Sequence, residues 1–179
     1  VKAALLAPGA GIICPFRLTA GLAENACTNG VEFWMDCPVS QIDKQEDGYC
    51  LHTGKGMVQT RCVINAAGIY ADVFNNMVSE EQLRITPRRG EYLLLDKRAG
   101  SFTQHTIFQM PGPMGKGVLI TPTVHGNLLV GPTAQDVPDR DAVCTTAEGL
   151  SQVQKKSMDG IKALPLHETI TSFAGIRAH

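Results

Sequence analysis

Near the start of the chain, apolar positions come first as a run and then as a helical stripe. Ala3 to Ala7 leads into Gly9-Ala10-Gly11 between Pro8 and Pro15, and then Leu18, Leu22, Ala23, Ala26 and Cys27 recur at helical spacing as far as Asn29-Gly30. That stripe predicts an amphipathic helix of about three turns with a glycine stop. The residue before each proline is pushed out of the helical region, so no helix can begin within Gly9–Cys14, which is predicted to be a loop. Short runs follow at Val31–Asp36, Val39–Asp43, Tyr49–Thr53 and Val58–Arg61, separated by Asp47-Gly48 and Gly54-Lys55-Gly56. Closely spaced runs with glycine turns predict an antiparallel meander that delivers the chain into a strand over Arg61–Ala66.

The next stretch, Val63-Ile64-Asn65-Ala66-Ala67-Gly68-Ile69-Tyr70-Ala71-Asp72, reads as a buried strand, a glycine turn and a helix. Ala66, Ala67 and Gly68 present almost no side chain, so a flat ligand could approach the backbone there. Beyond Leu83 the strands lengthen, with Gly90–Lys97, Thr106–Met110, Gly117–Thr121 and Asn127–Gly131 predicted to form a large antiparallel sheet. Alternation along Gly90–Leu95 sets Glu91 and Leu93 on one face and Tyr92 and Leu94 on the other. Ala147, Leu150, Val153, Ser157, Met158, Ile161 and Leu164 make a helical stripe ended by Pro165, and Ile170–Ile176 is a final apolar strand. The fold class is α+β.

Composition narrows the function. Of 179 residues, 44% are apolar, which suits a globular chain. The net charge of −1, from 16 basic and 17 acidic residues, gives no field to attract nucleic acid or an anionic membrane. Anion recognition must therefore be local. The six cysteines are scattered without a CxxC pair or a histidine cluster, which argues against a metal site and predicts buried, reduced thiols in a cytosolic protein. No apolar run approaches the roughly 20 residues of a membrane span.

The order of several motifs carries more information than any one of them. After the Val63–Asp72 stretch come Ile85-Thr86-Pro87-Arg88-Arg89-Gly90-Glu91-Tyr92-Leu93-Leu94-Leu95, Gly117-Val118-Leu119-Ile120-Thr121-Pro122 and Phe173-Ala174-Gly175-Ile176-Arg177. In this order the chain resembles FAD-dependent oxidoreductases of the D-amino-acid oxidase superfamily, above all the glycerol-3-phosphate dehydrogenases and L-2-hydroxyglutarate oxidases. Such enzymes open with a strand, a glycine-rich turn and a helix that faces the pyrophosphate. That unit is missing: in Gly9-Ala10-Gly11-Ile12-Ile13-Cys14 the third glycine is replaced by Cys14. The chain is therefore expected to be an interior piece of a longer flavoenzyme, inactive on its own and without tight FAD binding.

The resemblance implies FAD as cofactor, touched by Val39 through its backbone and by Ala66, Ala67 and Gly68. It divides the chain into a linking loop and helix over residues 1–30, part of an FAD-binding domain over 31–82, and a substrate-binding domain over 83–179 that ends in a return strand. The fold is then an antiparallel substrate-domain sheet with helices, plus a meander and strand of an incomplete FAD-binding domain. Arg177 is implied to hold the anionic group of the substrate, since guanidinium offers a rigid donor fork and keeps its charge when desolvated. Ala178 stands where the family usually continues with proline. Arg89 and Tyr92 are further candidates for the substrate site, and Arg88 shares the same stretch.

Removing a hydride from a carbinol carbon also requires a proton acceptor, and base strength near neutrality favours histidine. The five histidines are His52, His105, His125, His167 and His179, and the sequence does not single out one as the base. Gly112–Gly117 lacks the spacing of a phosphate loop and is predicted to be a turn, and Asp136, Asp139, Arg140 and Asp141 to be a solvated loop. The resemblance implies oxidation of sn-glycerol 3-phosphate to dihydroxyacetone phosphate by the complete enzyme. A quinone, a partner subunit or oxygen would reoxidise the flavin, in the cytoplasm or at a membrane periphery. Oxidation of L-2-hydroxyglutarate, of an amine or of an amino acid are the rival chemistries, and a binding module that has lost redox chemistry is the rival class.

Overall fold

A computed structural model describes residues 3–111 and 117–179; the predicted turn at Gly112–Gly117 lies almost wholly outside them. Helix α1 (Pro15–Thr28) starts on Pro15 itself, because a first-turn residue needs no amide hydrogen, and ends at Asn29-Gly30. The meander forms as strands β1 (Val39–Gln45), β2 (Gly48–Thr53) and β3 (Gly56–Thr60), paired in that order in an antiparallel three-stranded sheet. Two expected strands beside it do not form. Val31–Asp36 is a loop that turns at Met35-Asp36, where Asp36 takes φ 50°. Cys62–Ala67 joins no ladder, and Ile64 is 90% exposed instead of buried. An apolar run becomes a strand only where a partner strand pairs with it, and among the described residues neither segment has one.

A 3₁₀ turn (Gly68–Tyr70) then opens helix α2 (Ala71–Val78). The chain enters the second sheet, which is five-stranded, through β4 (Pro87–Leu95). Its other strands are β5 (Leu119–Pro122), β6 (Leu128–Gly131), β7 (Gln135–Asp136) and β8 (Thr169–Ala178). Strand β4 is central and wholly antiparallel in its pairing: β8 runs along one edge, while β6 and β7 share the other. The strand predicted over Thr106–Met110 shrinks to one bridge, Ile107 to Ile120.

Alternation along β4 is as predicted. Glu91, Leu93 and Leu95 are buried while Tyr92 and Leu94 are half-buried. Leu93 and Leu95 pack with Val118, Ile120, Leu128, Val130, Val153 and Leu164 in one core. Helix α3 (Ala147–Gly160) covers that face, and it stops short of the predicted end because Ile161 is extended, with φ −140° and ψ 101°. Ile161 and Leu164 reach the core from the turn that follows. Of the cysteines, all unpaired, only Cys50 is buried; Cys14 and Cys37 are half-buried and the other three exposed, so the expectation of buried thiols fails for most of them. No helix among the described residues is long and apolar enough to cross a membrane.

Two acidic groups hold the layers in place. Glu91, fully buried, accepts hydrogen bonds from the Thr146 amide (2.8 Å) and hydroxyl (2.9 Å), and Thr146 in turn caps α3 by accepting from Gly149 N. Negative charge suits a helix N-terminus. Asp72, also buried, takes the Arg140 guanidinium as a fork at 2.7 and 2.8 Å and accepts the Ile85 amide at 3.0 Å. The cluster Asp136, Asp139, Arg140 and Asp141 is thus not the freely solvated loop expected, since Asp136 and Arg140 are both ion-paired.

A Cβ on Gly149 would overlap the Glu91 carboxylate. Gly149→Ala should cost about 2 kcal/mol or more in chemical denaturation, and much less in a Glu91→Ala background. Additive losses would show that the two do not touch. The Arg140 fork, with the Ile85 amide, holds the Asp72 carboxyl below the usual carboxylate range. A carboxyl that titrates lower in the fold than in the unfolded chain contributes stability at neutral pH and loses it on acidification. The gap in melting temperature between wild type and Asp72→Asn should thus be full above about pH 5 and shrink steadily below it. A gap constant from pH 7 to pH 3 would contradict this.

Candidate functional site

The register of β4 and β8 sets Arg88 opposite Arg177, Gly90 opposite Gly175, and Tyr92 opposite Phe173. Directly opposed residues of antiparallel strands project to the same face, so an arginine pair and an aromatic pair bracket two glycines. The Tyr92 and Phe173 rings stack with centroids 5.2 Å apart and planes 15° from parallel. A cleft of about 210 Å³ lies here, lined by Gly90, Tyr92, Pro132, Gly175, Ile176 and Arg177. Its volume suits a small solute.

The two arginines at one end differ in charge balance. Arg88 donates to Asp136 through Nε at 2.5 Å and Nη2 at 3.0 Å, and this fork holds the Asp136 carboxyl below its ordinary range. Arg177 is exposed and has no carboxylate partner among the described residues. At the other end, burial pushes the Tyr92 hydroxyl up, with the Arg177 cation opposing part of the effect. Tyr92 therefore stays protonated at neutral pH and can donate a hydrogen bond.

Arg89 is not part of this cleft. It lies three positions before Tyr92, and an odd offset along a strand reverses the face. Its guanidinium lies inside, donating to Gln135 Oε1 at 2.8 Å and the Cys144 carbonyl at 3.4 Å. Its Nε is 3.2 Å from Glu91 Oε1, off the hydrogen-bonding direction. Arg88, the other arginine of that stretch, is the one that shares a face with Tyr92 and Arg177.

The residues expected at the cofactor occupy two places. Val39 is half-buried at the start of β1, opposite Thr53 in the meander. Ala66, Ala67 and Gly68 lie on the turn before α2, which packs beside β8. Asn65 shapes that turn: its side-chain amide donates to the Ala71 carbonyl at 2.8 Å, and its oxygen accepts the Ala67 amide at 3.2 Å. Gly68 takes φ 57°, a left-handed conformation that glycine adopts without strain, and a Cβ there would meet nothing within 4 Å. Bare, open backbone of this kind fits the approach of a flat group such as a flavin.

None of the histidines lines the cleft. His52 is bound to Asp43 at 2.6 Å on the meander, His125 sits in the turn between β5 and β6, and His105 and His167 are exposed. His179 extends the β8 pairing by exchanging backbone hydrogen bonds with Thr86. Among the described residues no group of His, Cys, Asp and Glu could hold a metal ion. The interactions that sequence reasoning missed are the Asp136 and Asp72 ion pairs. Their only local signal was the charged cluster around Pro138.

Comparison with known proteins agrees with this geometry. The chain is 49% identical over 178 residues to a glycerol 3-phosphate dehydrogenase from Caloramator mitchellensis, an alignment that covers 99% of this chain and 37% of that one. It is 30% identical over 136 residues to an L-2-hydroxyglutarate dehydrogenase from Indibacter alkaliphilus, covering 74% and 34%. The solved structure of dithionite-reduced L-alpha-glycerophosphate oxidase from Mycoplasma pneumoniae with FAD bound superposes with a TM-score of 0.75 at 30% identity, covering 88% and 42%. The chain thus spans less than half the length of each of these relatives. The profile of the family described as FAD dependent oxidoreductase matches residues 1–179, and the chain belongs to that family.

Proposed function

We propose that the protein containing this chain oxidises the secondary alcohol of a small anion, sn-glycerol 3-phosphate before others, to the ketone dihydroxyacetone phosphate. The observation that carries the reading is the cleft over the paired strands β4 and β8, where Arg177 and Tyr92 flank a glycine floor, with the Gly68–Tyr70 turn packed beside β8. FAD, when bound, supplies the two-electron acceptor for the hydride of the carbinol carbon. Arg177 holds the phosphate, for which a guanidinium fork is matched in shape and charge. Tyr92 donates a hydrogen bond toward the same substrate, and its stacking on Phe173 fixes the ring. Gly90 and Gly175 keep the floor free of side chains, and Ala66, Ala67 and Gly68 let the flavin lie close, with Val39 on the adenine side. The cleft residues include no base, so the proton acceptor comes from elsewhere in the protein.

The 49% identity to a glycerol 3-phosphate dehydrogenase supports phosphate over carboxylate. The L-2-hydroxyglutarate dehydrogenase relative keeps the 2-hydroxy acid as a second reading with the same site logic. Reduced flavin would pass its electrons to a quinone, a partner subunit or oxygen. A quinone would draw the enzyme to a membrane surface, and oxygen would leave it in the cytoplasm. The division at residues 30 and 82 is the matching proposal for domains, with the meander on the cofactor side and the larger sheet on the substrate side.

Anaerobic mixing of the full-length protein with sn-glycerol 3-phosphate should bleach its flavin absorbance, and L-2-hydroxyglutarate should not. Arg177→Ala should lower kcat/KM by about a hundredfold, chiefly through KM, and Arg177→Lys should recover part of that. Bound flavin bleached by neither compound would reject both alcohols, and bleaching by L-2-hydroxyglutarate alone would reverse the order of the two readings.

A further inference from the structure

The turn that carries Gly68 is held by a part of the chain that is remote in sequence. Gly68 is exposed, with no neighbouring atom where a Cβ would stand, so side-chain packing does not fix this end of the turn. Polar contacts do. Arg140, 71 positions away, donates from Nη1 to the Ile69 carbonyl while its fork holds Asp72. Its guanidinium carbon lies 5.3 Å from the centre of the Tyr70 ring, in cation–π range. The next residue, Asp141, accepts the Tyr70 hydroxyl at 3.0 Å, which raises the pKa of that hydroxyl. Consecutive residues of one loop therefore grip both the main chain and the side chain of the turn.

The same loop is fixed at its other end to the substrate cleft. Strand β7 pairs with β4 at Arg88 and Arg89, and the Arg88–Asp136 fork reinforces it one cross-strand step from Arg177. A chain of contacts thus runs from Arg177 through Arg88 and Asp136 to Arg140 and Asp141 and on to Gly68–Tyr70, a turn that itself lies beside β8. We propose that Arg140 and Asp141 are positioning residues that set the cofactor-facing turn Gly68–Tyr70 at a fixed distance from the anion-holding strand β8, an inference that rests on the flavin reading above. Arg140 acts through backbone: with its Nη1 bond gone, the Ile69 carbonyl would seek water and the turn would move relative to β8. Because Asp72 also accepts the Val73 and Ile85 amides, its carboxylate stays in place when Arg140 is changed, and α2 need not unfold.

The test uses full-length protein stripped of flavin and titrated with FAD by fluorescence quenching, well below each variant's melting temperature. Arg140→Ala should weaken FAD binding by at least about tenfold, the loss of one charge-assisted hydrogen bond, and Arg140→Lys should recover part of it. Asp141→Ala should weaken it by about threefold, while KM for glycerol 3-phosphate, measured at saturating FAD, stays within about twofold of wild type in all three. A folded Arg140→Ala protein that binds FAD as wild type does would overturn the proposal. Should Arg140→Ala not fold, wild-type FAD affinity in both Arg140→Lys and Asp141→Ala would overturn it equally. If wild type takes up FAD and is bleached by substrate while the variants match it, the clamp alone fails. If wild type takes up no FAD, the flavin reading falls and the clamp with it.

Discussion

The period-two alternation of β4 is the constraint on which the rest of the structure depends. It pairs with β6, β7 and β8 alike, so its register is set from both edges. One phase of the alternation supplies Arg89, Glu91, Leu93 and Leu95 to the interior, and the other supplies Gly90 and Tyr92 to the cleft, with Arg88 on the same face. A slip by one residue would bring the Glu91 carboxylate to the cleft and drive an aromatic ring into α3. The core and the site are therefore two faces of one element, and what stabilises one fixes the geometry of the other.

Burying Glu91 is the costly part of that arrangement, since a carboxylate without partners inside a protein is strongly unfavourable. Its charge is met by the Thr146 donors, the start of α3 and the Arg89 guanidinium. Gly149 is needed because the first turn of α3 approaches so closely that no side chain fits against the carboxylate. The acid thereby specifies where α3 docks as well as how it is capped. An apolar residue at position 91 could fill the space, but it would leave the Thr146 amide without its partner.

How much of this was legible in the chain depends on whether the signal was local. The α1 helix, the meander from Val39 onward and the alternation along β4 come from short-range patterns, and these three are present, whereas the first run expected in the meander, Val31–Asp36, is a loop. The segment Val63–Ala66 failed as a buried strand because strand burial depends on partners contributed from elsewhere, and an apolar run says nothing of where those partners are. Placement of Arg89 was within reach of the sequence: it and Tyr92 are separated by an odd number of steps, so an extended chain cannot present both to one ligand. The Asp72–Arg140 pair was beyond it, as a contact across 68 positions leaves no trace in spacing.

Electrostatics separates the arginines that build the protein from the one assigned to substrate. Arg88 is committed to Asp136, Arg89 to the buried Glu91, and Arg140 to Asp72. Each is largely neutralised by an acid, and a fixed ion pair has little field left for a diffusible anion. Arg177 stands at the same end of the cleft as Arg88, on an exposed strand and without an acid of its own among the described residues. Two unpaired arginines directly opposed would repel, so neutralising Arg88 through Asp136 also lets Arg177 remain a free cation at that spot. In a chain whose net charge is only −1, this local imbalance supports the proposal that Arg177 recognises the anion.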